Sequence, residues 1–160
     1  MPATKLKEFL DTHNIKYVSI THSKAYTAQG IAAAAHISGK ELAKTVMIAV
    51  DGQVAMAVLP ASETVNLDSL KVALNARKVD LASERQFRDR FADCEVGAMP
   101  PFGNLYGLKV YVDETLTQDK EIAFNAGTHL ELIKLAYADF ANLVQPTVLR
   151  FSRRSAAHAA

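Results

Sequence analysis

"KTVMIAVDGQVAMAVLP", residues 44–60, decides the fold of this chain. Two apolar runs flank Asp51-Gly52, and an Asp-Gly pair readily adopts the left-handed backbone of a tight two-residue hairpin turn. Both runs are apolar at successive positions rather than alternating, so each strand is covered on both faces. The pattern predicts a hairpin at the centre of the fold, with the remaining elements packed around it. Lys44 opens the first run on the side of Val46 and Ile48. A lysine there either carries its ammonium out to solvent along an apolar stem or meets an anion.

Outward from the hairpin, the elements are mixed. Towards the N-terminus, "KLKEFLDTHNI" (5–15) sets Leu6, Phe9 and Leu10 at helical spacing and stops near Asn14. "KYVSITH" (16–22) alternates as a strand does, and Thr27 is placed to cap a second helix over "AQGIAAAAHI" (28–37). On the other side, "LDSLKVALN" (67–75) predicts a helix and "KVDLAS" (78–83) a short strand. Ser83 and Gln86 form a capping box for "ERQFRDRF" (84–91). "LKVYVDE" (108–114) and "EIAFNAG" (121–127) predict strands; in "HLELIKLAYADFANL" (129–143) Leu130, Leu132 and Ile133 fit either period, with alternation through Leu135 favouring a strand and then a short helix at "YADFANL" (137–143). Residues 151–160 have no periodicity and are expected to form a disordered tail after one domain spanning 1–150. The class is α+β, a single domain with a central curved mixed sheet flanked by helices.

Composition narrows the function. Eighteen Lys and Arg against seventeen Asp and Glu leave a net charge of +1. Coating long nucleic acid, DNA included, needs a stronger basic field, while a partner offering a few phosphates remains compatible. The single cysteine, Cys94, excludes an internal disulfide and a cysteine-rich zinc site. No pair of histidines has metal-ligand spacing, and HExxH, CxxC, GxSxG, Walker and GxGxxG patterns are all lacking, so no metal or cofactor is expected. No apolar run reaches the ~20 residues of a membrane span, and "MPATKLKEFL" has no signal-peptide core, so the expected location is cytoplasmic.

"GAMPPFG" (97–103) is the unusual loop. Pro100 and Pro101 remove two donors and stiffen the chain, while Gly97 permits unusual dihedrals or close approach of another group. The amides of Gly97, Ala98 and Met99 are expected to donate to a carbonyl or a ribose hydroxyl. The plainer reading is a structural turn, since most Gly/Pro clusters are punctuation. Cys94, three residues earlier, is either a packed small residue or a nucleophile for a small ester.

Together, "THSKAYTA" (21–28), "LAKTVMIAVDG" (42–52), "VGAMPPFG" (96–103), "VYVDETL" (110–116), and "FNAGTH" (124–129) leading to "ADFANL" (138–143) resemble the YbaK/prolyl-tRNA-synthetase-associated editing domains. The resemblance runs from about Lys5 to Leu143, and its specific elements are the lysine strand and the Gly97–Pro101 spacing. It implies a trans-editing deacylase that removes the amino acid from mischarged tRNA at the 3′ acceptor end, alone or with a synthetase. By the same resemblance, Gly97 cradles the aminoacyl ester and Lys44 holds the terminal phosphate, these two forming the catalytic pair. His22, Tyr26, Ala98, Met99, Pro100, Pro101, Phe102, His129 and Asp139 are implied to line the substrate. The chain departs from the family's cysteine-removing member, having Ile20 in place of a tyrosine and "GAMPPFG" in place of "GISPLG". A non-catalytic module that binds aminoacyl-tRNA or a synthetase is the alternative.

Overall fold

The computed structural model describes residues 4–21 and 41–154. The helix expected over 28–37, with Thr27, His22 and Tyr26, lies outside the described residues.

The hairpin is where its sequence puts it. Strands β2 (Ala43–Val50) and β3 (Gln53–Pro60) pair antiparallel from Ala43–Pro60 to Val50–Gln53. Asp51 and Gly52 turn the chain with φ of 49° and 85°, the left-handed values that an Asp-Gly pair tolerates. Around it, β5 (Val79–Leu81) pairs with β2, while β6 (Val110–Asp113) and β9 (Thr147–Leu149) add in parallel beyond β3, in the order β5-β2-β3-β6-β9. A second sheet has the order β1-β8-β7, from Tyr17–Thr21, Glu131–Ala136 and Glu121–Asn125, all antiparallel. A parallel bridge between Leu42 and Ala123 stitches β7 to the start of β2 and joins the two sheets at that point.

Alternation along the central strands divides the interior in two. Ala43 and Met47 of β2, with Met56 and Val58 of β3, face one core, which also receives Leu6 and Leu10 of α1 (Thr4–Thr12), Ile122 and Phe124 of β7, and Phe140 of α4 (Tyr137–Val144). Ile48, Ala55, Ala57 and Leu59 face the other, against Leu70 of α2 (Leu67–Leu74) and Tyr111. The capping box forms as expected: Ser83 and Gln86 cap α3 (Glu84–Phe87), and a 3-10 turn through Phe91 continues it.

Residues 151–154 correct one expectation. Against the disordered tail expected from 151 onward, Phe151 is buried and β10 (Ser152–Arg154) pairs with β4 (Glu63–Val65). The cause is Asp113, whose buried carboxylate accepts from the amides of Phe151 and Ser152 at 2.8 Å each and from the Ser152 hydroxyl.

Candidate functional site

The Gly97 loop has a defined backbone. The Ala98 N–H donates to the Glu95 carbonyl at 3.0 Å, closing a four-residue turn in which Gly97 stands third with φ 85°. A type II turn demands that sign of φ at its third residue, which selects glycine there. One of the three expected donors, Ala98, is therefore committed to the turn. The amides of Gly97 and Met99 have no acceptor among the described residues.

This turn is clasped to the loop that follows β7. Glu95 N–H donates to Gly127 O at 2.8 Å, and Gly127 N–H donates to Ala98 O at 2.9 Å. The Glu95 carboxylate accepts the His129 amide at 2.9 Å, and the His129 ring reaches the Val96 carbonyl through Nε2, also at 2.9 Å. A carbonyl only accepts, so Nε2 carries the proton and the imidazole is fixed in orientation. These four hydrogen bonds join segments some thirty residues apart in sequence. The resulting platform carries Gly97 in the open and His129 buried beneath it. A Cβ placed on Gly97 would lie 3.5 Å from His129 Cε1, in ordinary contact.

Beyond Gly97 the loop turns inward. Ala98, Met99, Pro100 and Pro101 are buried. Phe102, expected to line the substrate, is fully buried instead, its ring packed against Phe9, Phe124 and Phe140 at 5.5–6.2 Å. An aromatic ring so enclosed anchors the loop from below. Asp139 sits half-buried in the first turn of α4, and no hydrogen bond or ion pair joins it to the loop among the described residues.

Lys44 stands apart from the clasp. It pairs in register with Leu59, on the face of β2 opposite the core that holds Met99 and Phe102. Half-burial lowers its pKa, and the nearby Glu63 carboxylate pulls it back up. Glu95 is the residue that the sequence reading missed. Its place as first residue of the turn was legible in the Gly97 spacing, but its hold on His129 is a non-local contact.

Cys94 is half-buried between Asp93 and Tyr106, its sulfur 3.7 Å from the tyrosine hydroxyl. Burial pushes the thiol up to about 11, although the Tyr106 hydrogen bond pulls the other way. A thiol so poised is a poor nucleophile near neutral pH. No group of three metal-ligating side chains occurs among the described residues, and no described helix is long and apolar enough to cross a membrane.

Over 99 residues the chain is 33% identical to the multifunctional Ser/Thr-tRNA deacylase ProXp-y of Escherichia coli K12, and equally to that of Escherichia coli O157:H7. The alignment takes in 61% of this chain, which spans 59% of the length of those curated relatives. Among solved structures, that of a proposed trans-editing enzyme for prolyl tRNA synthetase superposes with a TM-score of 0.80 at 19% identity, over 94% of this chain and 96% of that one. A hypothetical protein superposes at 0.82 and 20% identity, over 93% and 99%. At such identities the likeness is one of fold, a single mixed α+β domain. Residues 22–143 match the family described as aminoacyl-tRNA editing domain. The match runs through the lysine strand, both clasped loops and most of α4, and the chain belongs to that family.

Proposed function

We propose that this protein is a trans-editing deacylase that hydrolyses the ester of mischarged tRNA at its 3′ end. The observation that carries this reading is the clasped Gly97 turn, where two uncommitted amides flank an open, side-chain-free residue above an oriented imidazole. An aminoacyl ester is already activated, so its hydrolysis depends on positioning and on polarising one carbonyl. The Gly97 and Met99 amides are donors suited to the oxygen on which negative charge develops. The attacking hydroxyl comes from water or from the terminal ribose, and the acyl–oxygen bond breaks to release the amino acid and free tRNA. His129 holds the turn through Nε2 and serves as a positioning residue. Lys44 holds the phosphate of the terminal nucleotide.

The low charge of the chain suits this substrate, since an acceptor end offers only a few phosphates. The name of the Escherichia coli relative makes seryl- and threonyl-tRNA the first substrates to try. Selection between such small side chains at a synthetase is limited to about 1–3 kcal/mol per methylene, which leaves errors for a second enzyme to remove. Purified protein is to be assayed against tRNAs charged with serine, threonine, alanine and cysteine, expecting release of at least one amino acid. Uniform resistance of all four esters would contradict the reading.

A further inference from the structure

Asn125 ends β7, and its side-chain Oδ1 is buried with no hydrogen-bond partner among the described residues. A buried acceptor left unmet costs about 1–3 kcal/mol, and natural proteins rarely leave one without a reason. Its location supplies the reason. The parallel bridge pairs Leu42 with Ala123, and Ala123 N–H donates to Glu41 O at 3.0 Å. That bridge is isolated, but β2 and β7 stay in contact beyond it, and two residues further along each chain come Lys44 and Asn125. Ile122 and Phe124 face the core shared with Ala43 and Met47, so Asn125 and Lys44 lie together on the opposite face. Asn125 also leads directly into Gly127 and His129, the segment clasped to Gly97. It stands where the lysine strand and the clasped loops meet.

From this placement we infer that Asn125 is a substrate-contact residue whose side-chain oxygen accepts a hydrogen bond from the 2′-hydroxyl of the terminal ribose. The inference rests on the deacylase reading above. The neutral amide oxygen suits a neutral donor, because a second ammonium would be repelled by Lys44. A nucleotide held at its phosphate by Lys44 also presents its own ribose to the neighbouring strand.

The test uses binding of a non-hydrolysable ligand, 3′-seryl-amino-3′-deoxyadenosine 5′-phosphate, and its 2′-deoxy counterpart, to the full chain and to Asn125→Ala. Asn125→Ala is expected to weaken the 2′-hydroxyl ligand about 3- to 10-fold and the 2′-deoxy ligand less than 2-fold. Its melting temperature should be unchanged or raised, since an unmet acceptor has gone. Equal losses on both ligands, no loss on either, or destabilisation that tracks the binding loss would overturn the inference. If the unaltered protein takes neither ligand and releases no amino acid, the deacylase reading fails as well. If it binds and turns over while Asn125→Ala behaves alike, only the role of Asn125 falls.

Discussion

At the scale of single residues, Gly97 has two duties that a substitution must separate. Its φ of 85° is unfavourable for any side chain, by about 1–2 kcal/mol, whatever the loop does. Gly52 has the same φ at the hairpin turn, with nothing near its added Cβ, and provides the matched control. Gly97→Ala and Gly52→Ala should both lower the melting temperature by a few degrees. Only Gly97→Ala should depress deacylation further, on the order of 100-fold, because its methyl projects towards His129, where the proposed site would hold the ester. Parallel activity at equal stability loss would reduce the loop to a turn. Cys94 gives the opposite expectation. With its thiol raised to about 11, it stays protonated at neutral pH, so Cys94→Ala should retain most activity. Near-complete loss in a folded Cys94→Ala protein would restore a nucleophilic role.

Among the elements, the C-terminal segment depends on one carboxylate. Burial alone would raise the pKa of Asp113, but hydrogen bonds from Thr115, from the Phe151 and Ser152 amides and from the Ser152 hydroxyl outweigh it and hold the value below 3.8. A depressed carboxylate stabilises the fold above its unfolded-state pKa and loses that contribution as pH falls through its folded value. Asp113→Asn should therefore cost about 2–4 kcal/mol at pH 7, measured by denaturant unfolding, with the penalty shrinking below pH 4. A pH-independent penalty would assign the loss to packing instead.

Several elements were readable from local signals: the hairpin from its double-sided apolar runs about Asp51-Gly52, α1 from the helical spacing of Leu6, Phe9 and Leu10, and α3 from its capping box. Strands β4, β9 and β10 were not, since their pairing is dictated by distant segments, as when Asp113 gathers residues 151 and 152. The site divides likewise. Gly97 and Lys44 show in local composition, whereas the grip of Glu95 on His129 and the approach of β7 to the start of β2 exist only once the sheets close. Gly103, which looked like the far end of a loop, is required by packing, as a Cβ there would meet Val110 at 2.6 Å and the Leu108 carbonyl at 2.7 Å.

For the whole molecule, the proposed deacylase role asks of the fold a rigid scaffold that would position an already reactive ester. The double core fixes the central hairpin, β7 is stitched to the start of β2, and the clasp locks two loops at the end of that junction. Polarisation of the ester by backbone amides, as proposed, calls for no metal, so chelation should leave the rate unchanged. The central claim is turnover. The direct measurement is the release of serine or threonine from mischarged tRNA with substrate in large excess over protein and a chelator present. The account predicts a linear release that passes many equivalents of the protein and stops when the ester is exhausted. Saturable one-to-one binding that protects the ester from spontaneous hydrolysis would contradict it, and would make the chain a carrier of aminoacyl-tRNA.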